Sequence, residues 1–407
     1  MPSSSVSEEL HWLYLDLNSY FASVEQHLNP KYRGRPLAVV PTIAKTTSVI
    51  AASYEAKAFG VKGGMKVAEA RALCPQLILM TGRHGHYVEY HKKIMEVLES
   101  CHPITVVSSI DEVAFKLGGR DKKLENAILL AQEMKDKIRK EVGDSFTSSV
   151  GISTNRFLAK VASDMQKPDG LTIIQKKDIP KKLYRLKPQD LIGIGRNMDI
   201  RLRKAGVYTV EKLYSLSIKE MRAIWGGVGG ERYYKWLRGE DLELSFEANK
   251  SVGHSHVLPP AKRTMTGVQQ VGKKLLAKAG IRLRKLDAWA RHLYISVSYL
   301  DRPKWKSNLK MLECQDSFTL QEAFDQLWAN VRVGTPLKVS VTLTDLVHES
   351  ERNFSFFENN KRVKLTKAMD TINMRWGRNT IYLGSIAESL DSAPTRIAFT
   401  SIPDMEI

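Results

Sequence analysis

Ile104-Thr105-Val106-Val107-Ser108-Ser109-Ile110-Asp111-Glu112-Val113-Ala114-Phe115 places two adjacent carboxylates inside an apolar run. The flanks read as a buried strand or a tight hairpin of strands. Asp and Glu are poor strand formers and costly to bury unpaired, so a bound cation is the usual reason for such a pair. A further carboxylate stands in a similar setting upstream, where Asp16 follows Trp12-Leu13-Tyr14-Leu15 and precedes a helical stretch. If the two strands are neighbours, Asp16, Asp111 and Glu112 meet at one sheet edge. Hard oxygen ligands of this kind suit Mg²⁺, which keeps few protein ligands and fills its shell with water and phosphate oxygens. Two such ions, about 3.5–4 Å apart, can activate an attacking oxygen and stabilise a leaving one in phosphoryl transfer. Asp111-Glu112 alone reads better as a solvated turn, because charged residues are mostly exposed. The matching Asp16 reverses that preference.

The 407 residues imply several domains. A hydrophobic content of 43% with 26% charged residues describes a soluble globular chain. The 62 basic residues exceed the 44 acidic ones, giving +18, which favours a polyanionic partner, nucleic acid or an anionic membrane. No run of about 20 apolar residues exists, and Met1-Pro2-Ser3-Ser4-Ser5 lacks the basic and apolar regions of a signal peptide. Cys74, Cys101 and Cys314 are widely spaced, without metal-ligand spacing, and read as reduced cytosolic thiols. Nucleic acid is therefore the expected partner.

Along the chain, residues 12–25 read as strand then helix, with Asn18 or Ser19 able to cap the helix. Short apolar runs at 36–41 and 47–52 read as small strands. Ser53 to Gly64 reads as a short helix closed by a glycine. Its Tyr54 and Lys57 could face a phosphate, but spacing alone describes an ordinary basic surface helix more readily. Helices are expected at about 86–100 and 124–142, the second with Leu124, Ile128, Ala131, Met134, Ile138 and Val142 on one face. A strand at 147–152 leads into a helix carrying Lys160. This alternation is an α+β pattern around a mixed sheet.

Lys167-Pro168-Asp169-Gly170 is a turn signal and a boundary. Residues 174–240 read as a small helical domain. Gly193-Ile194-Gly195-Arg196 opens a basic helix there, a turn that presents backbone N–H groups to an anion. Alone it fits a helix–hairpin–helix gripping DNA phosphates and a plain packing corner equally well. Residues 241–252 read as a linker. A β-α-β-β-α-β pattern follows, a second ferredoxin-like unit: strand 253–258, helix 266–286, strands 290–300 and 308–314, helix 319–331, strand 337–347. The basic run of its first helix, including Lys273, Lys274 and Lys278, is read as tracking phosphates. In the tail, Phe354-Ser355-Phe356-Phe357 reads as a strand packed on the domain or a short partner-docking peptide.

Together, in this order, the motifs resemble those of the Y-family translesion DNA polymerases over residues 10–350. The resemblance makes Asp16, Asp111 and Glu112 the metal-binding, catalytic carboxylates, with the backbone carbonyl of Leu17 as a further ligand to two Mg²⁺ ions. Phe21, in Ser19-Tyr20-Phe21-Ala22, matches the steric gate beneath the incoming sugar. On helical spacing alone it reads as a core Phe. Tyr54, Lys57 and Lys160 match positions that contact the incoming triphosphate, and Gly193, Gly195 and Arg196 the DNA-binding hairpin. Lys57 stands where the DinB branch has Arg, and loses that residue's bidentate fork. Ala51 stands where Ser or Thr is usual. Lys57 and the stretch Lys367 to Arg378 are similar to the UmuC branch.

The resemblance implies a right-hand polymerase: a ferredoxin-like palm (10–27 and 86–171), fingers (28–85), a helical thumb (172–240), a linker (241–251), a β-α-β-β-α-β little finger (252–350) and a C-terminal extension (351–407). It implies a DNA-directed DNA polymerase in damage tolerance and the SOS response, without proofreading. Its partners would be primer–template DNA, dNTPs and a sliding clamp or other accessory proteins. Its place would be the bacterial cytoplasm, at the nucleoid, with no membrane. A metal-dependent nuclease would share the carboxylates without needing Phe21 or a triphosphate site. An inactive adaptor would have lost one of the three carboxylates.

Overall fold

The structure is a computed structural model and describes residues 10–45, 47–242, 250–352, 360–394 and 397. The described residues form two compact units, one within residues 10–242 together with 397, the other within residues 250–394.

In the first unit, β1 (Trp12–Leu17) is buried along its whole length, Asp16 included, as the apolar run Trp12-Leu13-Tyr14-Leu15 suits a central strand. Ser19, at φ 48°, turns the chain into α1 (Tyr20–Leu28). The chain next builds a separate small layer from β2 (Leu37–Val40), β3 (Ala51–Ala52), α2 (Tyr54–Ala58), α3 (Val67–Leu73) and β4 (Ile78–Thr81). Its strands stand in the order β3-β2-β4 over a core of its own that includes Ala38, Val40, Val61 and Val67. The chain then returns through α4 (His84–Cys101), the hairpin of β5 (Val106–Val107) and β6 (Glu112–Lys116), α5 (Leu124–Lys137), β7 (Ser148–Ser153), α6 (Arg156–Met165) and β8 (Leu171–Ile174). The main sheet runs β5-β6-β1-β7-β8.

The buried stripe of α5 is Ala127, Leu130, Ala131 and Met134, continued by Ile138 in a π-helical turn, Ile138–Val142. Leu124, expected on that stripe, is the first helical residue and is exposed. Beyond β8, α7 (Arg196–Lys204), α8 (Val210–Ser215), α9 (Ile218–Trp225) and α10 (Val228–Leu237) close around Leu202, Val210, Leu213, Met221 and Leu237.

The second unit is β9 (Ser251–Val257), α11 (Met265–Lys285), β10 (Ala288–Tyr299), β11 (Trp305–Cys314), α12 (Ser317–Trp328), β12 (Pro336–His348) and α13 (Asn360–Trp376). The order of elements is the expected β-α-β-β-α-β. The order of strands is not that of the first unit. There, β1 lies inside, between the third and fourth strands of its own repeat, β6 and β7. Here the sheet runs β11-β10-β12-β9, with the first strand at the edge. The expectation of a second ferredoxin-like unit therefore holds for element order and fails for strand order.

The linker expected at 241–251 lies mostly outside the described residues. At its ends, Asp241 accepts from Trp12 Nε1 at 2.9 Å, and Ser251 already stands in β9. Phe354-Ser355-Phe356-Phe357 lies wholly outside them. Among the described residues no helix is long and apolar enough to cross a membrane.

Candidate active site

Antiparallel pairing sets Asp16, near the end of β1, opposite Glu112, the first residue of β6. Asp111 sits in the turn just before β6, and its carbonyl accepts from Leu17 N–H at 2.8 Å. Three carboxylates thus converge on one sheet edge, the arrangement expected from sequence. Ser109 Oγ donates to Asp111 Oδ1 at 2.5 Å, and Tyr14 Oη to Glu112 Oε2 at 3.2 Å. Burial pushes the Asp111 carboxyl up to about 6, opposed by the Ser109 hydrogen bond and reinforced by the like charges of Asp16 and Glu112.

α6 supplies the countercharge. It lies close on β7 because residue 151 is glycine: a Cβ there would stand 2.0 Å from the Ala159 carbonyl oxygen. Asn155 caps it, accepting from Leu158 N–H at 2.7 Å. This seating carries Lys160 Nζ to Asp16 Oδ2, to Glu112 Oε1 at 2.8 Å and to Asp164 Oδ1 at 3.0 Å. Burial works against the Lys160 charge, and the carboxylates outweigh it, holding the ammonium above its ordinary value. Lys167 joins the same cluster, 2.7 Å from Asp16 Oδ2 and 2.7 Å from Asp164 Oδ1. Sequence reasoning missed Lys167 and Asp164. For Asp164 the i, i+4 spacing from Lys160 on α6 was the available signal, whereas Lys167 lies in the turn beyond the helix end.

The donor set is all oxygen, on one edge, with a carboxyl pushed up by burial and, further, by its like-charged neighbours. That chemistry fits divalent magnesium. Among the described residues no three Asp, Glu, His or Cys side chains are already drawn together at ion-holding distance. Ammonium groups hold Asp16 instead.

Phe21, on α1, is half-buried and stacks on Tyr87, centroids 4.3 Å apart. Its ring therefore packs against the core without being enclosed by it. Tyr54 and Lys57 lie on α2, capped by Ser53, whose Oγ accepts from Ala56 N–H at 3.3 Å. Gly60, at φ 87°, follows the end of that helix. Lys57 Nζ donates to Ser19 Oγ at 2.7 Å and sits 4.1 Å from the Tyr54 ring centroid. Burial and the neighbouring Lys167 charge lower the Lys57 ammonium, with Asp16 opposing. Burial likewise raises the Tyr54 phenol, and charge from Lys167 and Asp16 reaches it too. Tyr54 and Lys57 thus stand within electrostatic reach of the carboxylate edge.

Elsewhere in the first unit, Gly193 takes φ 85° and Gly195 caps α7. Gly193, Gly195, Arg196, Asn197, Met198 and Arg201 line a surface recess.

In the second unit the expectation for the basic helix needs correction. Lys273 pairs with Asp325 at 2.7 Å, Lys274 is buried and donates to the Leu390 carbonyl, and Lys278 donates to the Ala393 carbonyl at 2.9 Å. α11 covers the sheet, and its lysines hold the 390–393 segment in place. A charge count cannot distinguish a lysine facing solvent from one fastening the chain's own carbonyls. The basic open surface is the other face of the sheet. Lys306 stands opposite Ser296, Lys310 opposite His292 and Lys338 opposite Ser298, among Ser340, Thr342 and Thr344. Lys306 and Lys310 are exposed, and Tyr294 is 44% exposed.

A five-stranded sheet presenting paired carboxylates, flanked by a lysine-bearing helix and followed by a helical hairpin and a separate basic sheet, defines a nucleic-acid-dependent phosphoryl-transfer enzyme. Residues 15–164 match the impB/mucB/samB family, and residues 249–356 match the C-terminal domain of that family. DNA polymerase IV of Moorella thermoacetica is 32% identical over 393 residues, covering 93% of this chain and 96% of that one. DNA polymerase IV 1 of Bacillus subtilis is 29% identical over 402 residues, covering 95% of each. Among solved structures, a Y-family polymerase chimera of Dbh and Dpo4 superposes with a TM-score of 0.70 at 24% identity. The match covers 83% of this chain and 99% of that one. An insertion ternary complex of Dbh DNA polymerase does so with a TM-score of 0.57, also at 24% identity and with the same coverage. The chain belongs to the impB/mucB/samB family of Y-family DNA polymerases. It is a DNA-directed DNA polymerase of the translesion type.

Proposed function

We propose that this chain extends a primer by adding dNTPs at the edge where Asp16 faces Glu112 across β1 and β6. That pairing, with Asp111 in the adjoining turn, is the observation that carries the reading. Asp16, Asp111, Glu112 and the Leu17 carbonyl would hold two Mg²⁺ ions, which supply Lewis-acid stabilisation of the attacking and leaving oxygens when bound. The protein's own groups do the rest. Tyr14 and Ser109 orient the carboxylates through the hydrogen bonds described above. Lys160, Lys57 and Tyr54 bind the triphosphate, and Phe21 stacks beneath the sugar.

In this reading the main sheet with α1, α4, α5 and α6 is the palm (10–27 and 86–171), the small β3-β2-β4 layer the fingers (28–85) and α7–α10 the thumb (172–240). The second unit is the little finger (252–350). The α7 hairpin at Gly193, Gly195 and Arg196 grips DNA backbone, and the open sheet face with Lys306, Lys310 and Lys338 tracks phosphates. Dbh DNA polymerase has been solved in an insertion ternary complex; here the corresponding partners are primer–template DNA and dNTPs. Lys57 and the stretch 367–378, which closes α13, favour kinship with the UmuC branch, with a sliding clamp or other accessory protein as a further partner. The setting is the bacterial cytoplasm, at the nucleoid. Primer extension with and without dNTPs tests the reading. Template-dependent growth supports it, whereas Mg²⁺-dependent degradation without dNTPs favours a nuclease.

A further inference from the structure

We propose that Ser19 is a positioning residue for the incoming nucleotide: its hydroxyl fixes the Lys57 ammonium, so that two residues together supply the set geometry a single guanidinium would carry. The inference rests on the nucleotide-site reading above and deepens it, adding a residue that acts through Lys57. By sequence, Asn18 or Ser19 would cap α1, and neither does. Asn18 is buried, accepts from Asp169 N–H at 2.7 Å and donates to Ser149 Oγ at 3.1 Å. Ser19 makes no side-chain bond to the helix it precedes. Its hydroxyl accepts from Lys57 Nζ at 2.7 Å instead.

The backbone of Ser19 stands at φ 48°, a left-handed conformation that costs a side-chain-bearing residue and that glycine adopts freely. What serine adds at that position is the hydroxyl. Ser19 follows β1, the strand that carries Asp16, whereas Lys57 comes from α2 in the separate small layer. Lys57 is an exposed residue on a helix of five residues, so core packing does not fix its four-carbon stem. Such a stem has much rotamer freedom to lose when its end is immobilised. Two contacts hold that end: Ser19 Oγ, and the face of the Tyr54 ring, 4.1 Å from Nζ. An ammonium has three N–H donors. Ser19 takes one, and the others are left for phosphate oxygens. An ammonium already held in place loses less freedom when the triphosphate arrives, which strengthens binding.

The test is a double-mutant cycle in the full-length protein. Ser19→Gly removes the hydroxyl and relaxes the backbone, and Ser19→Ala removes the hydroxyl and keeps the strain. Each is made with Lys57 in place and again with Lys57→Arg, whose planar fork is pre-organised without a hydroxyl to hold it. Affinity for dCTP and for dCMP is measured on a dideoxy-terminated primer with template G, in Ca²⁺, with a melting curve for each variant. With Lys57 in place, both Ser19 variants are expected to weaken dCTP by roughly tenfold, the scale of one hydrogen bond to a charged group. They should leave dCMP, which lacks the outer phosphates, unchanged. With Lys57→Arg the same two changes should weaken dCTP by less than about twofold. Wild-type dCTP affinity in Ser19→Gly overturns the proposal. So does an equal loss in both Lys57 backgrounds, or a loss confined to Ser19→Ala, which assigns the effect to the backbone. Lys57→Met separates the two levels. If it weakens dCTP while Ser19→Gly does not, the inference falls alone. If neither does, the reading of Lys57 as a triphosphate group falls with it.

Discussion

The ring of Phe21 lies stacked on Tyr87, 4.3 Å between centroids and 14° from parallel. Tyr87 is fully buried and is held by its own hydrogen bond to Glu25 Oε1, 2.8 Å. Glu25 is also buried and is paired with Arg83. The platform beneath Phe21 is therefore rigid, while Phe21 itself is only half-buried. A flat, fixed ring near the metal-binding edge can exclude a 2′-OH, the group that separates RNA from DNA precursors. Phe21→Ala should admit rCTP opposite template G while costing less stability than the about 3–5 kcal/mol of a fully buried Phe. Tyr87→Leu should also erode discrimination, with Phe21 intact. Single-nucleotide insertion of dCTP and rCTP, with a melting curve for each variant, checks both. A lowered melting temperature with unchanged sugar selection would leave Phe21 a packing residue.

DNA binding should depend on the open sheet face and not on α11. Replacing Lys306, Lys310 and Lys338 together by Ala should flatten the plot of log K against log salt by about 0.9 for each phosphate that the protein no longer neutralises. Lys273→Ala should leave the slope as it is, because that ammonium already serves Asp325. Anisotropy titrations of a primer–template duplex at several salt concentrations measure both.

His254 makes the second unit sensitive to acid. Burial, helped by the charges of Lys278 and Arg282, lowers its imidazole to about 4. The unfolded chain binds that proton near 6.5. A neutral His254 thus contributes stability that is present above pH 6.5 and is lost as the pH falls from 6.5 toward 4. Allowing for its partial solvent contact, the loss should be about 1–2 kcal/mol. Denaturant titrations of wild type and His254→Gln between pH 7 and 4 should diverge over that window. Parallel curves would show that His254 contributes no such pH dependence.

What could be read from sequence depended on whether a residue broke its surroundings. Asp111 and Glu112 stood out because carboxylates interrupt an apolar run, and Asp16 because it repeats the anomaly. Lys160 and Lys57 needed the family pattern, since a lysine on a helix is ordinary. Lys167 was hidden because Lys-Pro-Asp-Gly satisfies a turn by itself and gives no sign of what the turn is fastened to. The α11 lysines misled for the opposite reason: their number suggested phosphate, whereas their partners are Asp325 and carbonyls of the 390–393 segment. The strand order of the second unit was not legible, because a β-α-β-β-α-β string fixes which strands form hairpins and leaves open which strand becomes the edge.

If Asp16, Asp111 and Glu112 form the catalytic metal site, Asp111→Ala reveals it most directly. The measurement is single-nucleotide primer extension in Mg²⁺, with DNA affinity and the metal-free melting temperature read on the same preparation. Asp111 is half-buried beside two like charges, so its removal relieves repulsion and should not lower the metal-free melting temperature. Extension should fall by orders of magnitude while DNA affinity holds. Extension at the wild-type rate, or a loss of activity that only tracks a loss of folding, would contradict the assignment.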